Sequence, residues 1–125
     1  MFNRNQVELI GHIASNPEVR SLDDGKKVLN LRIATNESWK DKKSGERHER
    51  TEFTPIVIWR PSLIDFVEKH VRKGAYVLIE AKLQNRAKEK DGEKVYQIDV
   101  VGNRLSFCEA KDGGDYQDDG DQPQD

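Results

Sequence analysis

Apolar and polar residues alternate with period two through most of this chain, and the alternation breaks clearly in one place. Residues 5–14 set Val7, Leu9, Gly11 and Ile13 on one face and Gln6, Glu8, Ile10 and His12 on the other, the pattern of a half-buried strand. Gly11 in mid-strand predicts a bulge or sharp bend, the means by which one strand serves two sheets at the corner of a small barrel. Residues 28–38 alternate again. Leu29, Leu31, Ile33 and Thr35 point one way; Asn30, Arg32, Ala34, Asn36 and Ser38 point the other, and Trp39 ends the strand. Residues 53–59 form a third strand. Pro55 lies inside it and has no N–H to donate, so that point must be an edge or a bulge. Residues 75–85 are a fourth strand, with Val77, Ile79, Ala81 and Leu83 on one face. Residues 95–101 are a fifth, extended towards Phe107 past an irregularity at Gly102-Asn103. Glu18-Val19-Arg20, between turn signals at Asn16-Pro17 and Asp23-Asp24-Gly25, reads as a brief edge segment.

The break comes at Pro61, where helical spacing takes over. Leu63, Ile64, Phe66, Val67 and Val71 make one stripe, and Asp65, Glu68, Lys69 and Arg72 stay outside it. Proline suits the first helical position because its missing N–H has no partner there anyway. Gly74 is the expected stop, with Arg72 and Lys73 at the negative end of the dipole. Phe66 is assigned to the core. Two charged loops complete the pattern: residues 40–50, turning at Ser44-Gly45 and able to continue as a β-ribbon, and residues 86–94, turning at Asp91-Gly92.

Three strands, a helix and two strands, joined by short connections, predict an all-β fold. The expected architecture is a five-stranded OB-fold barrel with one helix between strands three and four. Such barrels bind oligonucleotides along one face and through their loops.

Composition sharpens this picture in one respect. The chain has 125 residues, 34% hydrophobic and 35% charged, with a formal net charge of −2. Residues 111–125 hold one Lys and six Asp, which leaves 20 Lys+Arg against 17 Asp+Glu in residues 1–110. A body of about +3 therefore carries an acidic segment of −5, an asymmetry that suits a nucleic-acid binder. The domain reading is residues 1–110 as the OB-fold domain and residues 111–125 as a disordered acidic tail. The latter holds too little apolar surface to offset chain entropy. That tail is expected to compete with nucleic acid for the basic groove. The single Cys108 excludes an internal disulfide and a multi-cysteine metal site. No apolar run reaches the length of a membrane span, and no secretory core follows the first residues. The expectation is a cytoplasmic, nucleoid-associated protein without a cofactor.

The candidate chemistry lies on the hairpin of residues 28–59. Trp39, Phe53 and Trp59 flank or follow a loop rich in charge. Aromatic rings stack on any base, and Lys and Arg hold phosphates, so the pair of features suits single-stranded nucleic acid without sequence preference. Trp39 and Phe53 are assigned to stacking. Trp59 stands between stacking and core packing, since Ile56 and Ile58 precede it. Tyr76 and Tyr96 are read as structural. The candidate phosphate contacts are Arg32, Lys40, Lys42, Lys43, Arg47, Arg50, Arg72, Lys73, Arg86 and Lys88. Arg32 leads them because it lies on a strand face. For most of the lysines a solvated surface charge explains the residue as well.

The residues also resemble a known family. Asn5-Gln6-Val7-Glu8-Leu9-Ile10-Gly11-His12-Ile13, Asn16-Pro17-Glu18-Val19-Arg20 and Ile33-Ala34-Thr35-Asn36-Glu37-Ser38-Trp39-Lys40-Asp41 resemble the bacterial single-stranded DNA-binding proteins. So do Thr51-Glu52-Phe53, Val71-Arg72-Lys73-Gly74 and Val77-Leu78-Ile79-Glu80-Ala81-Lys82-Leu83, in the same order and near the family spacing. The resemblance covers residues 4–107. It implies an OB fold, self-association (a tetramer, or else a dimer) and sequence-independent binding of single-stranded DNA in replication, repair and recombination. It places Trp39 and Phe53 at stacking positions, Trp59 at a further aromatic position and Arg86 at a basic one. Three departures stand out. Lys88 occupies a position where the family often has Trp. Thr54-Pro55 replaces a polar pair near subunit contacts. The segment ends Gln122-Pro123-Gln124-Asp125 rather than in Asp residues followed by Ile-Pro-Phe, so recruitment of replication and repair proteins is not implied.

The residues also bear on two other classes. An enzyme would need His12, His48 or His70 at ligand or triad spacing to a carboxylate or cysteine, or a Gly-rich phosphate loop, and the chain has neither. A nuclease built on scattered Asp and Glu is the remaining enzymatic reading. The alternative function is an OB-fold adaptor, a primosome-like interaction module with weak nucleic-acid binding.

Overall fold

The alternating segments pair into one closed sheet. A computed structural model describes residues 1–108, so the acidic segment 111–125 and the predicted domain boundary lie outside the described residues. Six strands and one helix follow in order: β1 (Val7–Ile13), β2 (Glu18–Ser21), β3 (Lys27–Lys40), β4 (Arg47–Ile58), α1 (Pro61–His70), β5 (Tyr76–Lys90) and β6 (Glu93–Phe107). Their lateral order is β1-β5-β6-β4-β3-β2. The sheet closes because β1 also pairs with β3, through His12↔Ala34 and Ile13↔Ile33. Five strands thus form a barrel with one helix between β4 and β5, and β2 is the predicted edge segment on β3.

The inward face of each strand supplies the core. Ile13, Leu29, Leu31, Ile33, Ile56, Ile58, Val77 and Ile79 are all essentially inaccessible, and Leu63, Ile64 and Val67 of α1, with Val71 just past its end, cap one end of the barrel. Each such side chain contributes about 1.5–3 kcal/mol relative to exposure. Pro61 begins the helix as expected, and the Val71 N–H closes its last turn onto the Val67 carbonyl.

Several local expectations resolve in specific ways. Gly11 is a corner and not a bulge. Its pairing with Val77 is in unbroken register, while β1 turns from β5 to β3 within two residues. Pro55 pairs opposite Arg32 in an unbroken β3–β4 ladder, and the other edge of β4 meets β6 only at Val57↔Val101. Its missing N–H therefore costs the ladder nothing, which is the edge case. The irregularity near Gly102-Asn103 is real: Glu80 pairs with Arg104 and Ala81 with Gly102, leaving Asn103 as the extra residue.

Both charged loops are shorter than predicted, because the strands run through them. β3 includes Trp39 and continues to Lys40, so only residues 41–46 turn. β5 and β6 continue to Lys90 and Glu93, joined by Asp91 and Gly92 with φ of 52° and 80°. Positive φ at both central residues is the type I′ hairpin that matches strand twist. Charged residues alternate across a ribbon without disturbing its ladder, so charge density alone is a poor marker of a loop. Phe66 is a correction: it is exposed and packs edge-on against Phe107, outside the core. Tyr96 is likewise exposed, on the β5–β6 ribbon.

Candidate functional site

Strand parity and register decide which candidate side chains share a surface. In the β3–β4 ladder Ala34 pairs with Phe53, Arg32 with Pro55, Asn30 with Val57 and Lys40 with Arg47. Directly paired residues project to the same face. Arg32, Lys40, Arg47 and Phe53 therefore lie on one face, the outside of the barrel and its continuation into the ribbon. Two contacts agree with this. The Arg32 guanidinium sits 5.3 Å from the Phe53 ring centroid, and the Thr51 hydroxyl donates to Asn36 Oδ1 at 2.7 Å.

The same face continues onto the neighbouring strands. Val57 of β4 pairs with Val101 of β6, and Val101 pairs with Lys82 of β5. Period two then brings Gln84, Arg86 and Lys88 of β5, with Asp99 and Gln97 of β6, onto that face. Trp59, just past the end of β4, lines one groove together with Lys82, Gln84 and Val101. The result is a surface across four strands with Phe53 near one end, Trp59 near the other and cations between and beside them. Both rings are substantially exposed, Phe53 at 52% and Trp59 at 40%. At that exposure Trp59 is not a core residue.

The structure separates Trp39 from Phe53. Trp39 pairs with His48, on the opposite face of the ribbon, and the two rings stack with centroids 5.5 Å apart. Glu37, Arg50 and Glu52 share that face, and Arg50 forms an ion pair with Glu52 at 3.0 Å. The face bearing Phe53 thus has Arg32, Lys40 and Arg47 against Glu49 on these two strands. The face bearing Trp39 has Arg50 against Glu37 and Glu52.

Five predicted cations are engaged elsewhere or lie off the strands of this surface. Arg86 makes a bidentate contact to the buried Asp99, Nε to Oδ2 at 2.8 Å and Nη2 to Oδ1 at 3.2 Å, and Gln97 Nε2 donates to the same carboxylate. Arg72 donates through Nη1 to the Glu68 and Val71 carbonyls and so caps the end of α1. Lys73 is in the α1–β5 connection, its N–H bound to Asn16 Oδ1. Lys42 and Lys43 are in the β3–β4 turn, where the Lys43 N–H binds Asp41 Oδ1. Sequence reasoning missed Lys82 and Gln84, although both share parity with Arg86. It also missed Asp99, whose distance from Arg86 along the chain hides their pairing.

The Arg86 pair has a pH signature. Hydrogen bonding from Arg86 holds the Asp99 carboxyl below its ordinary range, against the opposing effect of burial. A carboxyl depressed in the folded state contributes stability above its unfolded pKa, and that contribution is lost as pH falls through the folded value. Asp99→Asn is therefore expected to lower unfolding stability at neutral pH. The gap to the parent chain closes as the medium becomes acidic, read by urea midpoints across pH. A gap independent of pH contradicts the ionic account.

Among the described residues no group of His, Cys, Asp and Glu is placed to hold a metal ion. No helix there is long and apolar enough to cross a membrane.

Comparison with known proteins agrees with this geometry. The model of the single-strand binding protein family matches residues 4–108. A single-stranded DNA-binding protein of Rhizobium meliloti is 44% identical over 98 residues, covering 78% of this chain and 56% of the relative. One from Rickettsia felis is 38% identical over 120 residues, covering 92% of this chain and 79% of the relative. The chain thus spans little more than half the length of the first of these. Among solved structures, a Plasmodium falciparum SSB complex with ssDNA superposes with a TM-score of 0.72 at 26% identity, covering 87% of this chain and 98% of that one.

Proposed function

The chain belongs to the single-strand binding protein family, and from that premise we propose that its barrel binds single-stranded DNA without sequence preference, as a binding protein and not an enzyme. The observation that carries this reading is the four-strand outer face. It combines two exposed rings, Phe53 and Trp59, with Arg32, Lys40, Arg47, Lys82 and Lys88. Rings at both ends stack on bases of any identity, and the cations follow the phosphates. A flat stacking face admits unpaired bases and rejects duplex, whose bases already stack on each other.

Phe53 is the principal stacking residue and Trp59 the second, with Arg32 positioned over Phe53. Trp39 contributes from the far side of the ribbon, one of its ring faces already covered by His48. Lys40, Lys42, Lys43, Arg47, Arg50 and Lys88 supply phosphate contacts along the two ribbons. Arg86 and Arg72 act chiefly through the barrel, by fixing Asp99 and the end of α1. Residues 111–125 form a separate acidic segment that competes for the same face. Self-association into a tetramer or dimer uses the apolar residues left outside, Ile10 on β1 and Leu83, Tyr96 and Ile98 on the β5–β6 ribbon. The setting is replication, repair and recombination in the bacterial cytoplasm, at the nucleoid. The adaptor alternative has no observation in its favour.

Titration of tryptophan fluorescence with oligo(dT), the matching RNA and a duplex tests the reading. Oligo(dT) is expected to quench fluorescence and bind far more tightly than duplex, with affinity falling as salt rises. Equal affinity for duplex removes the stacking mechanism.

A further inference from the structure

The groove at the Trp59 end of the outer face joins Trp59 and Lys82 of that face to Lys26 and Lys27, which neither the family resemblance nor the reading above assigns. It lies between the turn into β3 (Gly25, Lys26 and Lys27, the strand's first residue), the β4–α1 connection (Trp59, Arg60), the start of α1 and the middles of β5 and β6. Its volume, about 930 Å³, is at the upper end for pockets that take small organic ligands. Ile64, Val101 and Gly102 contribute apolar surface, and Lys26, Lys27 and Lys82 contribute positive charge. Asp65 is the opposing carboxylate among the lining residues. None of the three lysines forms an ion pair among the described residues. Arg60 donates to the Asn103 carbonyl and holds the two walls in place.

We propose that this groove takes the continuation of the same DNA strand. One base stacks on Trp59, and the flanking phosphates sit on Lys26, Lys27 and Lys82. The inference rests on the single-strand reading above and adds a place and a set of contacts to it. Charge complementarity favours a polyanion, since three cations without ion-pair partners face one carboxylate. Continuity favours the DNA already bound, because Trp59, Lys82, Gln84 and Val101 belong to both the groove and the outer face. The lysines come from two separate segments, β5 and the turn into β3, so a ligand bridging them crosses the groove instead of lying along one strand.

The test is a triple variant, Lys26→Ala, Lys27→Ala and Lys82→Ala, in the full chain. All three side chains are exposed, and a thermal melt confirms folding. Each phosphate neutralised on a single strand contributes about 0.7 to the slope of log affinity against log salt. With an oligo(dT) of about 16 nucleotides, the upper end of OB-fold site sizes, the slope is expected to fall by about 2. The corresponding triple Lys→Arg variant is expected to keep the parent slope. Acetylation of Lys26, Lys27 and Lys82, followed by mass spectrometry, is expected to slow when that oligomer is bound. A slope unchanged in the alanine variant, or equal acetylation with and without DNA, overturns the groove proposal and removes Lys82 from the outer-face contacts, while oligo(dT) binding by the parent chain still supports the single-strand reading. Failure of the parent chain to bind oligo(dT) at all overturns that reading instead.

Discussion

Phe53→Ala is expected to weaken binding of single-stranded oligonucleotides by roughly 5- to 150-fold, the equivalent of one lost base stack at about 1–3 kcal/mol. The ring is half exposed on the outer face, with the Arg32 guanidinium 5.3 Å from its centroid. Its removal leaves no cavity, so folding stability should change by no more than about 0.5 kcal/mol. Phe53→Tyr keeps a stacking surface and should retain most of the affinity. Trp39→Ala is the informative comparison. Trp39 projects from the opposite face, beside Glu37 and Glu52, with His48 over one side of the indole. Its loss should therefore cost less than the loss of Phe53. With both variants titrated by the anisotropy of a labelled oligo(dT), a larger loss at Trp39 would show that the strand runs along the other face of the ribbon.

Gly11→Ala is expected to destabilise the fold by about 3 kcal/mol, near the upper end for inserting a methyl group into a packed site. A Cβ at this position lies 2.1 Å from the Ala34 carbonyl oxygen and 3.2 Å from Thr35 Cγ2. The nearest obstacle is backbone, and that backbone belongs to the β1–β3 pairing that closes the barrel, His12↔Ala34. Relief requires opening the closure, which no rotamer change accomplishes. For a domain of this size the melting temperature should fall by roughly 10–20 °C. The measurement is a reversible melt followed by circular dichroism. A shift of only a degree or two would mean that the corner can relax. Glycine here is a matter of space, since Gly11 is not among the glycines with positive φ.

Both predictions show where pattern and structure divide the work. Alternation placed the strands, because a residue's side of its own strand follows from parity alone, and a buried face needs apolar residues at every second position. The helix was legible for the same reason: Leu63, Ile64, Val67 and Val71 repeat at helical spacing behind Pro61, and all are buried. Phe66 fits the stripe by chemistry but falls at its margin, and only the depth of the barrel end decides that it stays outside. Arg32 and Phe53 could be placed on outward faces from their own strands. That they meet depended on the pairing of Arg32 with Pro55 and Ala34 with Phe53, a register set by the whole hairpin.

The candidate site divides in the same way. The sequence by itself determined the succession of strands along the chain, the helix and its start, and the outward placing of Phe53 and Arg32 on their own strands. These depend on local spacing and on which residues can be buried. Tertiary structure alone decided that Trp39 and Phe53 face apart, that Arg86 is held by Asp99, and that Trp59 borders a groove with Lys26, Lys27 and Lys82. Each of these is a relation between segments far apart in the chain. Periodicity carries no information about which strand lies beside which. Closure of β1 onto β3 and the single β4–β6 pairing at Val57↔Val101 supply that information.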